Sequence, residues 1–235
     1  MADWDNFSKQ YDGVFTEDPV YTGMLRQMGG LIADTGARRV LDLGCGTGNL
    51  TAVALDCLPA ATVLAVDPSE GMRETCSERF AGQERVEVVD GGATEIPAAD
   101  GGFDLVISSL ALHHVPVEDK GRVAREIARV TAPGGKLLYM DVFVDVEGGP
   151  PDPLWYRDVI DKTVAWALCS LESGAYRHMN VLLRTLVYCL EQDGEYLVTP
   201  QSWKALLAGS GLAVDESIIV EPEPCGLKIL RATRA

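Results

Sequence analysis

Val40-Leu41-Asp42-Leu43-Gly44-Cys45-Gly46-Thr47-Gly48-Asn49 reads as a buried strand that runs into a glycine turn and then into the start of a helix. The apolar run around Asp42 suits a strand covered on both faces. Gly44, Gly46 and Gly48 leave the backbone bare, so a ligand can lie directly against the peptide groups and the amino end of the following helix. In an open α/β sheet such a turn lies at the carboxyl edge of the strands, where these folds bind nucleotides. A dinucleotide fingerprint wants glycine or alanine at the place that Asn49 occupies, which counts against an NAD-dependent dehydrogenase. Asp42 is out of place inside a strand unless something uses its carboxylate.

The pattern extends outward from this turn. Residues 62–67, Thr-Val-Leu-Ala-Val-Asp, form a second apolar run ending in an acid about 25 residues after Asp42, the length of one strand-helix-strand unit. An acid at that strand end can accept hydrogen bonds from both hydroxyls of a ribose. The same residues, Asp67-Pro68-Ser69, also spell a helix start with proline and a capping serine. A third strand, Val86 to Asp90, is followed by Gly91-Gly92-Ala93-Thr94. A fourth, from Phe103, opens into the polar edge Leu112-His113-His114-Val115. A helix is expected from about Val117 to Val130, with Val123, Ile127 and Val130 on one stripe and Glu118 and Asp119 near its start. Pro133-Gly134-Gly135 stops it, and Lys136 to Asp141 reads as the fifth strand.

The order of glycine turn, strand-end acid, histidine-bearing strand and Ala132-Pro133-Gly134-Gly135-Lys136 turn covers residues 40–141 and resembles class I S-adenosylmethionine-dependent methyltransferases of the small-molecule type. The resemblance implies an α/β, Rossmann-like, doubly wound, seven-stranded, mostly parallel sheet in a single domain, 1–235. Residues 1–30 would form a helical cover over the cofactor. Residues of about 143–200 have no place in the bare sheet and would form an α-helical lid insertion between strands 5 and 6, or a dimer surface. A helix at about 201–208 and strands at about 213–220 and 227–233 complete the pattern.

Residue roles follow from the same resemblance. The turn, Gly44, Cys45, Gly46 and Gly48, would carry the methionine end of S-adenosyl-L-methionine, with Asp42 organising the turn and the ammonium group. Asp67 would bind the ribose, and Pro68, Met72 and Ser108 are further cofactor-binding positions. Many members have Gly-Asp-Ala at the adenine end, but this chain has Gly92 at the aspartate's place. The adenine contact therefore falls to backbone groups at Gly92 and Ala93, or to a neighbour such as Asp90. Tyr11, in the aromatic lead-in from Trp4 with Asp12 beside it, would approach the sulfonium.

Methyl transfer is an in-line displacement in which the cofactor carries the difficult chemistry, and the protein holds donor and acceptor together and excludes water. A base is needed only if the acceptor keeps its proton. His113 and His114 are the candidates, with neither preferred, because imidazole titrates near neutral pH. Alternatively they cap the loop or line the pocket. In the insertion, Trp155, Tyr156, Arg157, Trp166, Tyr176, Arg177 and His178 offer rings and charge for an acceptor, although helix packing explains the aromatics equally well.

Composition limits the partners. Twenty basic residues against 35 acidic ones give a net charge of −15, which repels a phosphate backbone, and Arg38-Arg39 is the only adjacent basic pair. A small molecule is the expected partner, with no nucleic acid and no membrane; a homodimer is left open. Cysteines 45, 57, 76, 169, 189 and 225 are scattered, as suits reduced thiols in a cytoplasmic protein. Cys45 fills a tight turn and is not read as a nucleophile. No metal site is expected, because His178 is the only other histidine and no cysteine cluster joins it. The amino terminus lacks a signal-peptide pattern, and no apolar run approaches about 18 residues. Two rival readings share the glycine motif: an enzyme using the same cofactor otherwise, such as a carboxymethyl-cofactor synthase or a cyclase, and a non-catalytic binding module.

Overall fold

Strand residues of alternating direction divide the interior into two apolar layers. The computed structural model describes residues 4–221 and 225–235, apart from the side chains of Trp4, Asn6 and Phe7. Its seven strands are β1 Arg39–Leu43, β2 Thr62–Asp67, β3 Val86–Asp90, β4 Phe103–Ser109, β5 Thr131–Val142, β6 Leu212–Ile219 and β7 Leu227–Arg234. They form one sheet in the order β3-β2-β1-β4-β5-β7-β6. Only β7 runs antiparallel to its neighbours. The chain winds outward from β1 to β3 and then returns to β4 on the other side. The loops after β1 and β4 therefore diverge and leave a crevice at the carboxyl edge.

The helices are α1 Trp4–Phe15, α2 Pro19–Ala33, α3 Asn49–Cys57, α4 Glu70–Arg79, α5 Lys120–Val130, α6 Pro153–Glu172, α7 Tyr176–Glu191 and α8 Pro200–Gly209. Val40, Val63, Leu105, Ile107 and Leu138 point to the face covered by α2 and α3. Leu41, Leu43, Val106, Leu137 and Tyr139 point to the other, against α5 and α8. The period of two along each strand enforces this division. Asp42 therefore shares the face of Val40, beneath α3.

Two boundaries differ from the sequence reading. The helix expected from Val117 begins as a 3₁₀ turn, Val117–Asp119, and becomes α-helical only from Lys120. The fifth strand starts at Thr131, not Lys136, because Thr131 pairs with Phe103 before a register shift and the Pro133-Gly134-Gly135 turn.

Between β5 and β6 in the chain lie α6 and α7, which pack on each other. A buried hub ties them to α2. Asp18 caps α2 by accepting from the Tyr21 amide at 2.8 Å, and it also accepts from Ser170 Oγ at 2.5 Å and Trp166 Nε1 at 3.3 Å. His178 Nδ1 of α7 lies 3.0 Å from the same carboxylate. Capping bonds of this kind serve orphan helix amides, and here the same carboxylate joins three helices.

Candidate functional site

Two amides and one carboxylate shape the glycine turn. The amides of Gly44 and Cys45 both donate to the Val66 carbonyl, at 2.8 and 3.0 Å, which ties the turn to the end of β2. The Gly46 amide donates to Asp67 Oδ2 at 2.9 Å, and the Ser69 amide to Asp67 Oδ1 at 2.9 Å. Burial pushes the Asp67 carboxyl above its ordinary pKa, and the two amide bonds oppose that shift. Gly44 has φ 75°, and a Cβ there would lie 2.4 Å from the Ala111 Cβ. The turn thus requires the missing side chain both for conformation and for space.

A cavity of about 430 Å³ opens over this turn. Gly44, Cys45, Gly46, Asp67, Met72, Gly92 and Ala93 are in its wall. It suits a nucleoside carrying an amino-acid tail. The peptide at Gly44 and Gly46 is bare, the Asp67 carboxylate stands beside it, and a Cβ at Gly92 would meet no atom within 4 Å.

Helix α1 is docked onto the rim. Asp12 Oδ1 accepts from Thr47 Oγ1 at 2.5 Å and from Asn49 Nδ2 at 2.9 Å. Asn49 also donates to Tyr21 Oη at 3.1 Å and accepts from Arg79 Nη1 at 2.7 Å. The residue that breaks the dinucleotide fingerprint thus fastens a helix over the pocket. Asp5 Oδ1 accepts from Ser69 Oγ at 2.6 Å and from the Gly71 amide at 3.1 Å, which fixes the other end of α1. Tyr11 is held in the cavity wall, stacked on Phe15 with ring centres 4.2 Å apart. Burial raises its phenol well above the usual value.

A second cavity, of about 100 Å³, lies between the sheet edge and α6 and α7. Phe15, Leu110, Val142, Trp166, Leu182 and Leu197 make it largely apolar, and His113, His114 and Glu195 form its polar corner. Tyr11, Leu110 and His114 border both cavities. Leu110 has φ 49°, a left-handed conformation that costs a leucine about 1–2 kcal/mol and is therefore held by its surroundings.

The polar corner is assembled from three distant segments. His113 Nδ1 lies 2.5 Å from Asp141 Oδ1 at the end of β5, and its Nε2 lies 3.2 Å from Glu195 Oε2, beyond α7. Burial would pull the His113 pKa down, but the charges of Asp141 and Glu195 outweigh it and raise the pKa to about 10. His114 is lowered to about 4, by burial and then by the charge on His113. One ring is therefore an imidazolium and its neighbour a neutral imidazole. Because the Gly194 carbonyl only accepts, the 2.8 Å contact to His114 Nδ1 places the hydrogen on that nitrogen and the lone pair on Nε2.

Known proteins carry the same pattern. Residues 40–135 match the family model described as a methyltransferase domain. The uncharacterized methyltransferase YrrT of Bacillus subtilis (strain 168) is 34% identical over 176 residues, 74% of this chain and 70% of that protein. The chain belongs to the class I S-adenosylmethionine-dependent methyltransferases. S-adenosyl-L-methionine is the cofactor of that family. The demethylmenaquinone methyltransferase of Clavibacter sepedonicus is 38% identical over 154 residues, 63% of this methyltransferase. The chain spans 59% of that relative's length. In fold, the methyltransferase also matches the O-methyltransferase NcsB1 from neocarzinostatin biosynthesis, at a TM-score of 0.63 and 19% identity over 97% of this chain and 57% of that one.

Of the positions singled out in the sequence, Tyr11, Gly44, Cys45, Gly46, Asp67, Pro68, Met72, Gly92, Ala93 and His114 meet in the wall of the larger cavity. Asp42, Gly48, Ser108 and His113 lie outside that wall. Asp42 is buried under α3, where Oδ2 accepts from Thr51 Oγ1 at 2.6 Å and Oδ1 has no partner among the described residues. Its desolvation raises the pKa to about 7. Gly48 starts α3 and admits the Phe80 ring, which a Cβ would approach to 2.5 Å. Ser108 Oγ donates to the Leu43 carbonyl at 2.7 Å, bracing β1 from below. His113 faces the smaller cavity instead. Asp90, the alternative adenine partner, pairs with Arg73 at 2.8 Å and is not in the cavity wall. The Cys45 thiol is raised well above its ordinary pKa by its contact with Cys76 and then by burial, which does not suit a nucleophile. The sequence reading gave no role to Asp141, although a strand-end acid is the signal that drew attention to Asp67. Glu195 carries no local signal at all.

Proposed function

We propose that this methyltransferase transfers the methyl group of S-adenosyl-L-methionine to an oxygen or nitrogen atom of a compact, largely apolar small molecule. The observation that carries this reading is the junction of the two cavities at Tyr11, Leu110 and His114. A donor over the glycine turn and an acceptor under α6 and α7 would meet there, near attack distance and away from water. When bound, the cofactor supplies an electrophilic methyl group on a sulfonium. Asp67 holds the ribose, the peptide groups of Gly92 and Ala93 meet the adenine, and Tyr11 presents its ring and hydroxyl to the cation. His114 meets the acceptor. Helices α1 and α2 act as a cover, and residues 143–200 as a lid over the acceptor.

The names of two similar proteins fit a flat, ring-bearing acceptor. One is a demethylmenaquinone methyltransferase, and NcsB1 was crystallised with 2-hydroxy-5-methyl naphthoic acid. Among the described residues no helix is long and apolar enough to cross a membrane, and all six cysteines are free thiols, in keeping with a cytoplasmic site of action.

Calorimetric titration of S-adenosyl-L-methionine into wild type and Asp67→Ala tests the donor site. We expect the variant to bind at least ~10-fold more weakly, since two charge-assisted ribose bonds are lost. Equal affinity would sink the assignment. Incubation with a panel of small phenols and amines, read by mass spectrometry for S-adenosyl-L-homocysteine and a methylated product, tests the acceptor side. Donor binding with no turnover on any of them would favour a non-catalytic module.

A further inference from the structure

We propose that His113, His114 and Glu195 form a site for one divalent transition-metal ion, which holds the acceptor's reacting oxygen at the junction of the two cavities. The proposal rests on the reading of the smaller cavity as the acceptor's. One candidate ligand atom from each of the three residues lies within 4.8 Å of the others. His113 Nε2 and Glu195 Oε2 are already 3.2 Å apart. That is close to the spacing of neighbouring ligands around an ion with bonds of roughly 2.1 Å.

The His113 imidazole is oriented from behind, and the His114 imidazole is fixed by backbone. His113 Nδ1 is held by Asp141, which is itself fixed by the Tyr139 hydroxyl at 2.7 Å and by the amides of His113 and Val142 at 3.0 and 2.9 Å. His114 Nδ1 is held by the Gly194 carbonyl at 2.8 Å. A carboxylate or a carbonyl on the far nitrogen is the arrangement that sets tautomer and ring angle in histidine metal ligands. It leaves Nε2 as the ligating atom of His113, whereas Glu195 Oε1 approaches His114 at Nδ1, 3.6 Å away. An ion would take the place of the proton shared by His113 and Glu195, and would exchange with any hydrogen that the His114 lone pair accepts.

The third donor is delivered by backbone. The Tyr196 amide donates to the His113 carbonyl at 2.7 Å, and the Gly194 carbonyl takes the His114 hydrogen. Residues 194–196 are thus zipped to residues 113–114 with the Glu195 side chain between them. Glu195 and His113 are only 6% and 9% exposed, and both face the smaller cavity. Three protein donors on one side of a cavity leave coordination positions open to a ligand, as in catalytic zinc and two-histidine, one-carboxylate sites. Two imidazoles select an ion of the zinc class over magnesium or calcium, which prefer oxygen shells. Such an ion would lower the pKa of a bound hydroxyl or enol and leave the oxygen nucleophilic, whereas an amine would spend its lone pair on the ion.

Zinc and cobalt chlorides, titrated separately into chelator-treated full-length protein, test the site, with S-adenosyl-L-methionine titrated into the same metal-free sample. We expect one ion per chain. Glu195→Gln should bind it at least ~100-fold more weakly and Asp141→Asn ~10–100-fold more weakly. S-adenosyl-L-methionine should bind the metal-free protein as it binds the loaded one. X-ray absorption of zinc-loaded wild type, which needs no variant, should show two imidazoles and an oxygen donor. No stoichiometric binding, binding that Glu195→Gln leaves unchanged, or a shell without imidazole would each overturn the site while leaving the methyl-donor reading intact. Failure of metal-free and loaded protein alike to bind S-adenosyl-L-methionine would instead remove the reading on which the site rests.

Discussion

The two cavities of this methyltransferase are built by different means. The floor of the larger is backbone, drawn from one short stretch after β1 and completed by the acid that ends β2. The polar corner of the smaller is side chain, drawn from the end of β4, the end of β5 and the segment after α7. A backbone floor depends on conformations that few residues adopt and on side chains that are absent, so it is written locally. A side-chain corner depends on the chain closing correctly over a long distance. Substitutions should therefore act abruptly on the first, and through anchoring contacts on the second.

The largest effect is expected at Gly44. Alanine there must adopt φ 75° and place its Cβ 2.4 Å from that of Ala111. A left-handed alanine costs about 1–2 kcal/mol and overpacking about 1–3 kcal/mol. Gly44→Ala should thus lose about 3 kcal/mol of stability and most of its affinity for S-adenosyl-L-methionine, as seen by thermal melting and calorimetry. A variant that melts and binds like wild type would show that the bare backbone is not what shapes the floor.

On the other side, the lid is held to the body by the carboxylate of Asp18. Burial pushes this carboxyl up, but the bonds from His178, Ser170 and the Tyr21 amide outweigh it and bring the pKa to about 2. Because the folded value lies below the unfolded one, the stabilisation is complete above about pH 4 and is lost as the pH falls toward 2. Wild type should shed about 2 kcal/mol across that window that Asp18→Asn, already lacking the charge, does not. Denaturant melts of both proteins at pH 4.5 and pH 2 measure the difference. Parallel acid limbs would mean that the hub does not hold α6 and α7.

The same contrast explains what could be read from the chain. The sheet, its winding and the turn residues were legible because hydrophobic runs of period two, strand-end acids and glycines act within a few residues of themselves. Asp42 was legible as unusual but not in its contact, since only the pairing of β1 under α3 sends it to Thr51. His113 and His114 were visible as a pair, yet their unlike protonation comes from burial, which lowers both, and from Asp141 and Glu195, whose charges outweigh it only at His113. Neither partner lies near them in the chain, and Glu195 sits in Gly194-Glu195-Tyr196 with nothing local to mark it. The start of β5 was missed because a single bridge to Phe103 precedes the glycine turn that usually announces a strand.

Asp12 links the two kinds of construction, since its side chain fastens α1 over the backbone floor. Asp12→Ala removes the acceptor for Thr47 Oγ1 and Asn49 Nδ2. The loss should be about 1–2 kcal/mol, felt as roughly 10-fold weaker binding of S-adenosyl-L-methionine together with faster proteolysis of residues 4–15. Weaker binding without faster proteolysis would place Asp12 in contact with the ligand instead of on the cover.

The smallest effect sharpens the contrast most, because it asks whether a side chain can improve a site made of backbone. Gly92 stands where the pattern that the sequence resembles puts an acid, and a Cβ there meets no atom within 4 Å. Gly92→Asp should therefore change stability by less than about 0.5 kcal/mol. If the adenine lies beside this residue, the new carboxylate accepts from its amino group. Binding then tightens by about 1 kcal/mol, roughly 5-fold, which calorimetry resolves. Unchanged affinity would mean that the peptide groups of Gly92 and Ala93 already satisfy that edge of the ring. Weaker binding would mean that the new charge faces something other than a donor, and the adenine would have to be placed elsewhere in the cavity.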